Sequence, residues 1–154
     1  AQEIRQKYGY TDYAGDSIEF YDSGVITFAL PGTKAAQSDK IKFDPDRRIW
    51  RSFYQEVANA FSEYNVFIGD SSSFDMAPKP YDKCHALNEY CEALGVSHSN
   101  VYYFGDDYGI GGNDECVYKS DFNFIKVDSY MDFPKLAETI MKWCTQLIVR
   151  QDET

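Results

Sequence analysis

A run of β-branched and aromatic residues, Val101-Tyr102-Tyr103-Phe104, passes at Gly105 into a glycine-rich acidic loop, Asp106-Asp107-Tyr108-Gly109-Ile110-Gly111-Gly112-Asn113-Asp114. The run reads as a buried strand. Open α/β sheets gather their ligands in the crevice beyond the carboxyl ends of such strands. Asp106 and Asp107 therefore project from the top edge of a parallel sheet. Gly109, Gly111 and Gly112 let the backbone turn tightly, and Asn113-Asp114 stands at the start of a helix. Asn and Asp cap helices routinely, so that pair alone would be only a cap. With Gly-Asp before it and Gly-Gly between, the segment becomes an oxygen-rich loop of the kind that holds Mg²⁺.

Around this strand the second half reads helix, strand, helix, strand, helix. Asp82 caps a helix that runs to about Leu94 and is terminated by Gly95. A short helix starts from Asn113, a strand covers 122–127, and a closing helix covers 131–148 with Phe133-Pro134 at its start. This is at least part of a doubly wound layer. The first half has a different character. Residues 1–7 read as the end of a helix closing near Gly9. Strands at 17–21 and 25–30 flank an Asp22-Ser23-Gly24 hairpin turn. Asp44 as N-cap and Pro45 at the first helical position open a helix. Its apolar face is Ile49, Trp50, Phe53, Val57, Ala60 and Phe61. Strands at 65–69 and 73–77 follow. The expectation is an α/β chain: a terminal core or linker helix (1–11), an antiparallel α+β unit (12–79), and part of a Rossmann-like core (80–154).

Composition narrows the partners. The 154 residues are 44% hydrophobic, enough for a packed core, and the net charge is −10. Nucleic acid is a poor partner, since phosphate neutralisation needs clustered Lys and Arg. An anionic membrane surface is disfavoured for the same reason, and no apolar run approaches the roughly 20 residues of a membrane span. Ala1–Tyr10 carries charges and has no apolar centre, so no signal peptide is visible. Cys84, Cys91, Cys116 and Cys144 form no C-x-x-C pair, and His85 and His98 are isolated. Reduced thiols in a cytoplasmic protein are expected, with the two histidines packing or solvated. The 13 Tyr and 11 Phe are read as sheet and core packing.

Other residues stand out by position. Lys83 lies one residue past the Asp82 cap, where a cation opposes the helix dipole but suits a site that gathers phosphate oxygens. A solvated surface lysine is the plain alternative, and Lys79 is a weaker candidate of the same kind. Ser71, Ser72, Ser73 and Asp75 form a polar cluster. Alternation sets Ser73 and Asp75 on one strand face and Phe74 and Met76 on the other. The first pair could hydrogen-bond a polyol, or simply meet solvent.

Taken together, Ile18-Glu19-Phe20, Gly69 through Ser73-Phe74-Asp75-Met76-Ala77-Pro78, Tyr81-Asp82-Lys83, and Phe104-Gly105-Asp106 through Gly111-Gly112-Asn113-Asp114 resemble the haloacid dehalogenase superfamily of phosphotransferases. The closer likeness is to its capped Cof-type sugar-phosphate phosphatases and, nearer still, to eukaryotic-type phosphomannomutase. The resemblance covers nearly the whole chain. It implies that residues 12–79 are a cap domain and 80–154 the carboxyl-terminal half of the core. It implies a metal site in which Asp106 ligates Mg²⁺, Asp114 supports the metal shell and Asn113 shapes the loop. Lys83 would balance charge on the transferring phosphoryl group, and Ser73 and Asp75 would hold sugar hydroxyls. Catalysis would run through an aspartyl-phosphate on a phosphorylated small molecule such as a sugar phosphate.

Two positions depart from the pattern. Tyr21 and Thr33-Lys34 stand where the mutase cap carries arginines for a second phosphate, which points to a simple phosphatase. The family's apolar strand ending in Asp-x-Asp has no match: Asp44-Pro45-Asp46 sits within the cap-like unit and is explained by a helix start. The expectation is a truncated phosphatase, inactive alone, the alternatives being a phosphomannomutase-like phosphotransferase or a non-catalytic sugar- or protein-binding module derived from it. Without a partner strand, the edge of strand 101–104 is open. The chain is then expected to self-associate as a homo-oligomer, or to bind a second chain such as a missing amino-terminal half.

Overall fold

Strand alternation builds the first layer. In the computed structural model, which describes residues 1–69 and 72–152 (the side chains of 130 and 144–152 aside), four antiparallel strands form one sheet. They are β1 (Ile18–Phe20), β2 (Ile26–Ala29), β3 (Tyr64–Ile68) and β4 (Ser73–Pro78), in the order β1-β2-β4-β3. Register pairs Phe28 with Phe74 and Ile26 with Met76 across β2 and β4, and Val66 with Met76 across β3 and β4. Ile26, Phe28, Val66, Ile68, Phe74 and Met76 are all buried, so one face of the sheet is a continuous apolar surface. The other face carries Thr27, Phe67, Asp75 and Ala77, the intervening residues of the same ladders.

Helix α3 (Arg48–Ala60) covers the apolar face. Trp50, Phe53 and Val57 are spaced three and four apart and are almost wholly buried, each worth about 1.5–3 kcal/mol of burial. The Trp50 and Phe74 rings meet edge to face at 4.7 Å, and Phe53 meets Phe74 at 5.6 Å. Helix α1 (Gln2–Tyr8), closed by Gly9, is pinned to the end of β2 by Arg5. That buried guanidinium donates to the carbonyls of Leu30 at 2.6 Å and of Ala29.

The second layer is parallel. β5 (Tyr102–Gly105) pairs with β6 (Asn123–Lys126), Phe104 opposite Ile125. Helix α4 (Lys83–Leu94) precedes β5, the single-turn α5 (Glu115–Tyr118) connects the two strands, and α6 (Phe133–Asp152) follows. Cys91, Val117 and Phe122 form its small core with Tyr103 and Phe124 packed on them. The expected helix ends at 82 and 95 hold. The Asp82 carboxylate accepts from the His85 N–H at 2.7 Å, and Gly95 is left-handed at φ 64°. The architecture is α/β, a parallel Rossmann-like layer joined to an antiparallel one. Among the described residues no helix is long and apolar enough to cross a membrane.

One element differs from expectation. Asp44 does not sit beside Pro45 at a helix start. It ends a separate helix, α2 (Gln37–Phe43), and α3 begins only at Arg48. Asp44 still caps α3, from across the Pro45-Asp46 turn: its carboxylate accepts the N–H groups of Arg48 and Trp50, each at 3.0 Å. The short helix placed from Asn113 starts at Glu115, with Asp114 in the cap position.

Candidate active site

The loop after β5 is wound around one buried carboxylate, that of Asp114 (1% exposed). Its Oδ2 accepts the backbone N–H groups of Asp106 at 3.0 Å and Asp107 at 3.1 Å. Its Oδ1 accepts the Tyr103 hydroxyl at 2.7 Å and the Lys83 ammonium at 2.5 Å. Lys83 also donates to Asn113 Oδ1 at 2.9 Å. Burial works to raise the Asp114 pKa, but Lys83, Tyr103 and the Asp107 N–H reverse this and leave it below the ordinary carboxylate value. For Lys83, burial works downward, and hydrogen bonds to Asp114 and Tyr103 carry the net shift upward, so it stays an ammonium. Burial first, and then Asp114, push the Tyr103 phenol up to about 12.

Glycine makes this winding feasible at two points. Gly111 has φ 75° and lies against the Tyr54 ring; a Cβ there would come within 2.6 Å of it. At Gly112 a Cβ would collide with the Asp107 carbonyl oxygen at 2.1 Å. The loop also grips the antiparallel layer. Ile68 N–H donates to Gly111 O at 2.6 Å. The buried Asp107 carboxylate pairs with Arg47 and, at 3.4 Å, with Arg51 of α3. Arg47 reaches it from a left-handed backbone, φ 55°, just before α3.

Of the residues singled out in the sequence, Lys83, Asn113 and Asp114 are in direct contact. Asp106 joins them through its N–H, and its carboxylate is exposed, with no hydrogen-bond partner among the described residues. Asp75 and Lys83 line one cleft of about 380 Å³, and Ser73 and Asp75 line a second of about 600 Å³ with Thr27, Lys40 and Arg47. Thr27 Oγ1 donates to Asp75 Oδ1 at 2.7 Å. Ser73 and Asp75 converge over Gly69, where a Cβ would lie 2.7 Å from Ser73 Oγ and 2.6 Å from Asp75 Oδ2. Ser71 lies outside the described residues. Lys79 is turned away, donating to Ser62 O at 2.8 Å. His85 packs on Tyr81, and His98 stacks on Phe122 while meeting Asp121 at 2.8 Å. Cys84, Cys91 and Cys116 are free thiols.

Asp114 has spent its acceptor positions on four donors, so it is a support for the loop rather than a ligand. No three acidic, His or Cys side chains cluster as a metal cage among the described residues. The donor set still fits Mg²⁺, which takes one or two carboxylates and completes its shell with water and substrate phosphate. Asp106 is the carboxylate open to that role. Tyr103, Arg47 and Arg51 were not singled out in the sequence. Tyr103 shows only as one more aromatic of a strand, and the arginines act on Asp107 from more than fifty residues away.

The family described as eukaryotic phosphomannomutase matches residues 11–142. A phosphomannomutase of Arabidopsis thaliana is 32% identical over 111 residues, 69% of this chain and 43% of that protein. One from Solanum lycopersicum is 30% identical over 112 residues, 70% of this chain and 42% of that one. One from Spinacia oleracea is 27% identical over 144 residues, 90% and 53% respectively. The chain thus spans about half the length of the curated relatives it matches. Among solved structures, the sucrose-phosphatase of Synechocystis, in complex with sucrose and phosphate, superposes with a TM-score of 0.46 at 14% identity, covering 82% of this chain and 47% of that one.

Proposed function

This chain belongs to the eukaryotic phosphomannomutase family, within the haloacid dehalogenase superfamily, and on that premise we propose that it carries the charge-balancing and sugar-holding part of a Mg²⁺-dependent phosphoryl-transfer site acting on sugar phosphates. The observation that carries this reading is the meeting of Lys83, Asn113 and Asp114 at 2.5–2.9 Å, some thirty residues apart in sequence, beside the exposed Asp106.

Asp106 would hold Mg²⁺, which when bound neutralises the phosphoryl oxygens and draws charge off the leaving group. The chain's own residues do the rest. Asp114 keeps Lys83 protonated and aimed along the loop. Lys83 then presents an ammonium to the equatorial phosphoryl oxygens, where charge gathers in the transition state. Asn113 restrains the same ammonium. From the facing sheet, Ser73 would accept from or donate to sugar hydroxyls and Asp75 would accept from them. No attacking group is assigned to these residues. The Asp44 carboxylate, in the only Asp-x-Asp, is buried and committed to the N–H groups of α3.

Hydrolysis is favoured over a mutase reaction because Tyr21 and Thr33-Lys34 replace cap arginines and Arg47 is already neutralised by Asp107. The mutase reading keeps support from the family match and from Lys40 in the larger cleft. A hexose bisphosphate that activates turnover of the intact enzyme would select it. The first test is calorimetric. Mannose 1-phosphate should bind this chain more tightly with Mg²⁺ than without, and Asp106→Asn should remove that difference while leaving the unfolding midpoint unchanged. A variant that keeps the full Mg²⁺ dependence would refute the role of Asp106.

A further inference from the structure

The smaller cleft combines a cation, a carboxylate and a mostly apolar lining. Its floor is the open face of β3 and β4, where Phe67, Asp75 and Ala77 lie side by side. Its wall is the start of α4, with Lys83 and Ala86, preceded by Tyr81. Lys83 and Asn113, in contact with each other, line it from α4 and the loop, and Asp75 lines it from the sheet. The rest of the lining is mostly apolar, with Phe67, Ala77, Tyr81 and Ala86; Asp82 also lines it and is engaged as the cap of α4. Ligand sites are commonly of this kind: a mostly apolar concavity with a few placed polar groups that set orientation.

Tyr81 is the unusual member. Its side chain is 59% exposed, yet its backbone is held on both sides. The Tyr81 N–H donates to Pro78 O at 2.9 Å, and its carbonyl accepts from Asn65 Nδ2 at 3.0 Å. The ring is braced edge to face by His85 at 5.5 Å, and His85 is itself held by Glu89 and by the Asp82 cap. An aromatic ring left in water on a fixed backbone has little freedom remaining for a ligand to remove. It has apolar area still to bury.

We propose that Tyr81, facing a cleft floored by Phe67, is a specificity-determining platform: it takes the C–H face of a single phosphorylated pyranose whose phosphate lies at Lys83 and whose hydroxyls reach Asp75. This rests on the phosphoryl-transfer reading of Lys83 and deepens it by assigning the recognition of the sugar body. The volume, about 380 Å³, lies at the lower end of ligand pockets, about 300–1,000 Å³, and suits one ring rather than an oligosaccharide. The charges agree: the anionic part is drawn to the ammonium, and the neutral, hydroxylated part faces a carboxylate, Asp75, that already accepts a hydroxyl from Thr27 at 2.7 Å. A small phosphomonoester without a ring would use Lys83 and leave the platform bare.

The test separates the two claims. The chain is titrated, with Mg²⁺ constant, with inorganic phosphate and with mannose 1-phosphate. Tyr81→Ala is expected to weaken mannose 1-phosphate roughly 5- to 10-fold, the worth of a good aromatic contact, and to leave inorganic phosphate unchanged. Tyr81→Phe should restore the sugar phosphate, because the ring and not the hydroxyl supplies the contact. The unfolding midpoint of each variant should match the parent, since the side chain is exposed. Equal weakening of both ligands would make Tyr81 a support for Lys83 and overturn the platform. So would unchanged sugar-phosphate binding in Tyr81→Ala. If the parent binds neither ligand, the reading of Lys83 fails, and the platform with it.

Discussion

Replacing Asp114 with Asn tests the centre of the site, because the change removes a charge and half a set of acceptors while keeping the shape. The carboxylate receives two donors on each oxygen: Lys83 and Tyr103 on Oδ1, and the N–H groups of Asp106 and Asp107 on Oδ2. An amide that keeps its oxygen toward Lys83 and Tyr103 turns its NH₂ onto the two backbone N–H groups and leaves them without an acceptor. Each buried, unpaired donor costs about 1–3 kcal/mol. Lys83 adds less, because its side chain is 43% exposed and rehydrates, so its share is held to about 1 kcal/mol or below. The expected loss is therefore about 3 kcal/mol or more. Urea unfolding followed by circular dichroism at neutral pH reads it as a lowered midpoint at unchanged slope. Tyr103→Phe, which deletes one donor and leaves the other three, should cost only about 1 kcal/mol. If Asp114→Asn loses less than Tyr103→Phe, the loop is not wound on this carboxylate and the reasoning is wrong.

Two further outcomes follow from the same geometry. The folded-state pKa of Asp114 is depressed, so its contribution is complete above the ordinary value of 3.8 and is lost as pH falls through the lower folded value. That of Lys83 is raised, so its contribution is complete below 10.5 and is lost as pH rises through the higher folded value. A stability profile flat between these limits, with an acid limb that Asp114→Asn makes shallower, is expected; an unchanged acid limb would count against the pair. Asp107→Ala should release the loop from α3, costing about 2 kcal/mol or more by leaving Arg47 and Arg51 unpaired. It should also speed amide exchange at Asn113, whose N–H faces Asp107 Oδ2 at 3.4 Å; protection equal to the parent would argue against the link.

The legible parts of the fold were those with local chemistry. The alternation of β4 needs only its own residues, and so do Asp82 and Gly95 at the ends of α4. Helix α2 leaves no apolar stripe in the sequence, because none of its residues is buried. The start of α3 is not legible locally, because Asp-Pro is a good helix opening in isolation. Here the Pro45-Asp46 turn intervenes, and Asp44 reaches forward to cap from a distance. At the site, Lys83, Asn113 and Asp114 could be picked by residue type and position. Their shared partner Tyr103, and the Arg47 and Arg51 grip on Asp107, depend on two layers meeting, and no spacing along the chain reports that.

The grip on Asp107 has a bearing on how such a chain can diverge. Two guanidinium groups one helical turn apart converge on a single acid that is 4% exposed. A base introduced at position 107 would face both of them in a nearly dry setting, so that codon cannot drift alone. Lineages in which it has changed sign should carry an acid at 47 or 51, and homologues should show the three positions inherited as a set.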